Sequence, residues 1–172
     1  MLRRVKKVIQ RPVSNPITDL IDMNISEFLN KYVPEEYRNP DIYQINYLAN
    51  YETVYEKILD EKNKEKILLV VEDESEAKIR GVLADSDILN WGYNCIKDKV
   101  VIDDPNSFTA LDIANKYYFS IKDTETVQDA INMMRDKMVK HIVVESNDKQ
   151  FVGIICKRHI HKRISEILVH KK

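Results

Sequence analysis

Glycine is nearly missing from this chain: Gly81, Gly92 and Gly153 are its three glycines in 172 residues. A glycine-rich phosphate loop is therefore excluded, and neither G-x-G-x-x-G nor G-x-x-x-x-G-K-[ST] occurs. Cysteine is as scarce. Cys95 and Cys156 stand far apart with no C-x-x-C pair, which argues against a structural disulfide and fits a reducing cytoplasm. Nowhere do about 18 apolar residues run together, so no membrane-spanning helix is expected. The start Met1-Leu2-Arg3-Arg4-Val5-Lys6-Lys7 resembles a signal sequence, but no apolar stretch follows it. Charge of one sign is lacking too. A net charge of −1 argues against a surface that coats nucleic acid along its whole length.

What is present is a packed-core composition, 44% hydrophobic, arranged as one pattern written twice. Thr53-Val54 opens a helical stretch, followed by the branched run Ile67 to Val71, then Gly81-Val82-Leu83 and Asp87-Ile88. Downstream come Thr126-Val127, His141 to Glu145, Gly153-Ile154-Ile155 and His159-Ile160. Thr53-x-x-Glu56 and Thr126-x-x-Asp129 read as helix-start capping boxes. Val127, Ala130, Ile131, Met134 and Met138 form the apolar stripe of a helix. The runs 68–71 and 142–144 read as buried strands, each paired with its glycine-led successor across a polar turn, 73–77 or 146–149. Residues 60–66 read as a solvated helix end, and residues 31–41, with Pro34 and Pro40, as a loop. The expected organisation is a basic arm at 1–24, a first unit at 25–96, a linker at 97–109 and a second unit at 110–168. Ile25 to Leu29 opens the first unit, and Ala110 to Ala114 the second.

These residues in this order resemble a tandem pair of cystathionine β-synthase (CBS) domains, the Bateman module. The second copy supplies Ala110 to Ala114, Tyr118 to Ile121, Thr126 to Ala130, Val143-Val144-Glu145 and Gly153 to Ile160. The first supplies Thr53-Val54, Val70-Val71-Glu72 and Gly81 to Ile88. The resemblance implies an α+β fold of two β-α-β-β-α repeats packed sheet to sheet about a pseudo-twofold axis. It also implies clefts that accept AMP, ADP, ATP or an S-adenosyl compound as a regulatory ligand, with no cofactor required.

Carried over by position, the resemblance places Asp87 on the ribose, with Ala84, Asp85 and Ser86 beside it in a first cleft. Ala84 stands where the family has Ser or Thr. The second cleft departs further, with Cys156 at the Ser/Thr position and His159 at the ribose position. Lys157 and Arg158 sit at that helix start, and Lys140 and His141 lead into the neighbouring strand. Ile45, Tyr47, Tyr118, Phe119 and Ser120, on the unit-opening strands, are expected to frame adenine. The Asp87 cleft is the favoured one.

The leading expectation is a stand-alone regulatory protein of the cytoplasm, homodimeric, binding an adenosine compound and signalling to an unidentified protein partner. The first alternative is a scaffold whose clefts bind nothing. The second is nucleic-acid binding through the basic arm, against which stands the absence of any helix-turn-helix, zinc-finger or RNA-binding signature. No triad or paired acid and base can be assembled, so an enzyme is not expected. Cys156-x-x-His159-x-His161 offers zinc-type ligands, but on one helix and without a partner cluster, so no metal is expected.

Overall fold

The computed structural model describes residues 15–72, 78–100 and 102–170. The basic run at 3–7 and the turn at 73–77 lie outside the described residues. Helices α1 (Pro16–Ile21) and α2 (Ile25–Tyr32) lead through a 3-10 turn (Glu35–Arg38) and α3 (Pro40–Tyr43) into strand β1 (Gln44–Asn46). Helix α4 (Tyr51–Leu59), strands β2 (Ile67–Val71) and β3 (Ile79–Ala84), and helix α5 (Asp85–Lys97) follow. After a second 3-10 turn (Pro105–Ser107) the order returns as α6 (Ala110–Ile113), β4 (Ser120–Lys122), α7 (Val127–Asp136), β5 (His141–Glu145), β6 (Phe151–Cys156) and α8 (Lys157–Val169). The fold is α+β, with two three-stranded sheets ordered β1-β2-β3 and β4-β5-β6. In each, the first pair is parallel and the second antiparallel. Val70 faces Gly81 and Val144 faces Gly153, with a register shift just after each valine, so the duplication extends to the irregularities.

The branched runs are strands buried on both faces, and their alternation decides which face meets what. Leu68 and Val70 point to their own helices and pack with Val54, Ile58 and Leu83. Leu69 and Val71 point the other way and meet Val143 of the second sheet. Ile142 and Val144 in turn face Val127, Ala130 and Ile160. The two sheets therefore share an apolar seam.

Each unit is closed by the other's opening helix. Ile25, Phe28 and Leu29 of α2 pack into the second core beside Val127 and Ile154. Ala110 and Ile113 of α6 pack into the first core beside Val54 and Leu68. Backbone bonds fix both exchanges: Ile25 N–H donates to the Glu125 carbonyl at 2.8 Å, and Ala110 N–H to the Ala49 carbonyl at 2.8 Å. The stretch expected to open the first unit thus completes the second, because α2 has its apolar face matched to α7 and β6.

Four local expectations are corrected. Helix α4 begins at Tyr51, and its cap is Asn50, whose side chain accepts from Thr53 N–H at 3.0 Å; Thr53 lies inside the helix. The capping box at Thr126 and Asp129 does form. Residues 60–66 are not a solvated helix end: Asn63 is fully buried, donating to the Ile67 carbonyl and accepting its N–H at 3.0 and 3.2 Å. Residues 31–41 hold the end of α2 and a 3-10 turn, and run into α3. Met138 leaves the α7 stripe, with φ of 56° and 88% of its surface exposed, because the helix stops at Asp136.

Two glycines predict opposite outcomes. A Cβ on Gly81 would sit 2.9 Å from the Asn115 carbonyl oxygen, so Gly81→Ala should destabilise by about 1–3 kcal/mol. Gly92 lies inside α5 with nothing within 4 Å of such a Cβ, so Gly92→Ala should stabilise by about 0.5–1 kcal/mol. Urea unfolding midpoints of the two variants check both signs.

Candidate functional site

Where β3 runs directly into α5, the first N–H groups of the helix are already engaged, Asp85 N–H by the Lys66 carbonyl at 3.3 Å and Ser86 N–H by Asp85 Oδ1 at 2.7 Å. Asp87, one turn in, folds its carboxylate back so that Oδ2 accepts the Ala84 N–H at 2.7 Å. Its second oxygen has no partner among the described residues. Burial raises the Asp87 pKa, opposed by the Ala84 N–H and reinforced by the neighbouring charge of Asp85. Asp87 forms one wall of a cavity of about 520 Å³, together with Ala84, Asp85 and Ser86.

The facing wall comes from the second unit. Residues 115–119, leading into β4, bring Tyr118 and Phe119, and residues 138–141, leading into β5, bring Lys140 and His141. Tyr118 is held by donating its hydroxyl to Glu145 at 2.9 Å. Of the five residues expected to frame a base, these two aromatics reach the cavity. Ile45 is buried in the first core, with Tyr47 packed against it, because β1 turns both toward its own helices. Ser120 lies within β4, outside the cavity lining.

In the second unit the position that corresponds to Asp87 is covered, although Cys156, Lys157 and Arg158 beside it still line an opening. Eleven residues, 33–43, separate α2 from β1, against the six, 114–119, that separate α6 from β4. The longer path folds inward. Tyr37, 1% exposed, stacks on Tyr43 at 6.0 Å and meets the His159 ring edge-on at 4.5 Å. Arg158 lies over the Tyr37 ring at 5.6 Å. His159 occupies the place that Asp87 holds in the first unit, its Nδ1 accepting the Cys156 N–H at 3.3 Å. Burial and the nearby Arg158 charge lower its pKa to about 4, so it is neutral and carries its proton on Nε2. His159 is thus beneath the plug, 8% exposed, and not on an open ribose site.

One carboxylate ties the two regions together. Glu65 Oε1 accepts the Tyr37 hydroxyl at 2.8 Å and pairs with Arg158, while Oε2 lies 2.7 Å from His141 Nε2. A second opening of about 490 Å³ shares Glu65, Lys140 and His141 with the first, and adds Cys156, Lys157, Arg158 and His161. Lys140 and His141, expected in the second cleft, therefore also line the cavity that holds Asp87. Glu65 and Tyr37 were not among the expected site residues. Nothing in the run from Asp60 to Lys66 marks one glutamate as buried; the difference in loop length was the available hint of a plug.

Residues 110–166 match the model of the CBS domain family. No curated protein matches the chain. Among solved structures, CbpB in complex with c-di-AMP is similar with a TM-score of 0.67 at 19% identity, over 90% of this chain and 93% of that one. A CBS domain protein from Pyrobaculum aerophilum complexed with AMP gives 0.59 at 20% identity, over 86% and 99%. A CBS domain-containing protein from Bacillus anthracis gives 0.65 at 14% identity, over 88% and 99%. The first unit finds its likeness in the fold alone. No described helix is long and apolar enough to cross a membrane.

The lowered pKa of His159 has a definite sign. The unfolded chain binds this proton near pH 6.5 and the folded chain near pH 4, so the unfolded state holds more protons between them. Stability is full above about pH 6.5 and falls as pH drops toward 4, by at most about 1.4 kcal/mol per pH unit. His159→Asn keeps an acceptor for Cys156 N–H but cannot titrate. Urea midpoints at pH 7 and pH 5 should differ less in that variant than in the parent.

Proposed function

We propose that this chain, a tandem pair of CBS domains, binds an adenosine nucleotide in the cavity between Asp87 and Tyr118 and acts through it as a regulatory module. The observation that carries this reading is the meeting of an acceptor, two aromatics and two basic side chains in one cavity of about 520 Å³. That is a size suited to a nucleotide. The free oxygen of Asp87 accepts ribose hydroxyls, Tyr118 and Phe119 flank the base, and Lys140 and His141 face the phosphates. Proteins of similar fold have been crystallised with AMP and with c-di-AMP. With Tyr37 lying over His159, where the first unit has Asp87, binding is one nucleotide per chain. About 20 ligand atoms at roughly 0.3 kcal/mol each give a Kd of some tens of micromolar.

The regulatory side of the reading needs a surface, and α5 offers one. Leu89, Tyr93 and Ile96 are 74%, 63% and 79% exposed at i, i+4 and i+7 on one face. A second copy of the chain docks there, which the scaffold reading shares, since that reading needs the surface but no open cleft.

Isothermal calorimetry with AMP, ADP, ATP, S-adenosylmethionine and c-di-AMP should find at least one ligand binding at one per chain. At a hundredfold excess over Kd it should raise Tm by roughly 5–10 °C. Asp87→Ala should weaken binding by about tenfold or more, and His159→Asn should leave it unchanged. No heat and no Tm shift with any of the five at millimolar concentration would overturn the nucleotide reading in favour of the scaffold. Separately, light scattering should show a dimer that Tyr93→Glu with Ile96→Glu converts to a monomer; a monomeric parent chain would remove the self-docking surface.

A further inference from the structure

We propose that Glu65, His141 and Cys156 form a binding site for a zinc-class divalent cation at the floor of the cationic opening beside the plug. The three side chains come from separate places: the turn before β2, the first residue of β5 and the last residue of β6. Register brings two of them together, since His141 and Cys156 are directly opposed across the antiparallel pair and so share a face of the sheet. One carboxylate oxygen of Glu65, one ring nitrogen of His141 and Cys156 Sγ all lie within 4.8 Å of one another. Ligands of a tetrahedral zinc ion stand roughly 3–4 Å apart, given bonds of about 2.0–2.3 Å, so small side-chain shifts close the set.

The surroundings are those of a supported site. Glu65 keeps Oε1 engaged by the Tyr37 hydroxyl and Arg158, which leaves Oε2 aimed at His141 and oriented for single-oxygen coordination. Cys156 is 2% exposed beside a carboxylate, where a metal would neutralise the charge of both. Tyr43, wholly buried, has a hydroxyl without a hydrogen-bond partner among the described residues. The opening of about 490 Å³ gives the ion an entry path and leaves a fourth position for water or for His161 on its lining.

Binding balances simply. The Cys156 S–H bond breaks, its proton leaves to water through the opening, and a sulfur–metal bond replaces it. His141 turns over to the tautomer with its proton on Nδ1 and gives Nε2 to the ion. Thiolate and carboxylate together cancel the double positive charge, so the neighbouring Lys140, Lys157 and Arg158 face a neutral centre. This differs from the set Cys156, His159 and His161 suggested by spacing along α8: His159 is committed to the Cys156 N–H and lies under Tyr37.

Cobalt(II) titration of the full chain, purified without metal and without nucleotide, tests the site. The expected result is one equivalent bound, with a sulfur-to-cobalt charge-transfer band and the strong visible absorption of tetrahedral geometry, both abolished by added zinc. Cys156→Ser should remove the charge-transfer band, and His141→Ala should weaken binding by about tenfold or more with an unchanged circular dichroism spectrum. No binding, or binding without a thiolate band, overturns the proposal, and the parent spectrum alone decides this if a variant fails to fold. Because no nucleotide is present, failure here is distinct from failure of the Asp87 cavity to bind its ligand.

Discussion

Two backbone hydrogen bonds between Val82 and Asn115, 2.9 and 2.8 Å long, hold the second unit's returning chain against the first unit's last strand. They exist because α6 lies across the first sheet, so the segment leaving it must run along β3 before it can start β4. Gly81 leaves room for that passage. The path then places residues 115–119 opposite residues 84–87, and those two stretches are the facing walls of the Asp87 cavity. The cavity is thus a consequence of the exchange of opening helices and not of either unit alone. In the other half the same geometry recurs, with Gly153 beneath Tyr37 and Arg38, but five more residues must be accommodated and they turn into the cleft.

The plug carries a cost that the local chemistry offsets. A carboxylate with 9% of its side chain exposed, as at Glu65, is stable only if its oxygens are paired. Arg158, His141 and Tyr37 provide that pairing, and Tyr37 is in turn fixed by Tyr43, His159 and Arg158. His159 suits this setting because a neutral imidazole can accept the Cys156 N–H without bringing a buried charge. An aspartate there would place a second carboxylate near Glu65. His159, standing where the first unit has Asp87, therefore fits a covered position beneath Tyr37.

What the sequence made legible was periodic or duplicated. The runs at 67–71 and 141–145, the two glycines and the stripe through Val127, Ala130 and Met134 give the elements and their order, because burial on both faces leaves an unbroken apolar run. Long-range placement was not legible. Ile25 to Leu29 has the same apolar spacing whichever sheet it covers, so periodicity cannot tell which unit it closes. Glu65 sits in a charged run where six of seven residues from Asp60 to Lys66 carry charge, and its burial depends on Arg158 and Tyr37, far off in the chain. Asn50 was passed over as a cap because Thr53 made the familiar pattern three residues later. The place of Asp87 at the start of the last helix of its unit was readable from the run Gly81 to Ile88, whereas the meeting of Lys140 and His141 with it in one cavity followed only from the packing of one sheet on the other.

The asymmetry of the two clefts bears on how a ligand could be sensed at all. Occupancy changes a protein's state only by the difference in affinity between its conformations. A nucleotide resting on one unit would stabilise that unit and leave the seam untouched. The Asp87 cavity takes one wall from residues 84–87 and the other from residues 115–119 and 138–141, so a ligand that contacts both is sensitive to the distance between the sheets. The covered position at His159 is held differently. There Tyr37, from the chain before β1, and Arg158, from α8, both engage Glu65 Oε1, so side chains of the protein itself join the two units. A ligand bound across the Asp87 cavity would bridge residues 84–87 of one unit and residues 115–119 and 138–141 of the other, with α5 and its exposed apolar face following directly from Asp85.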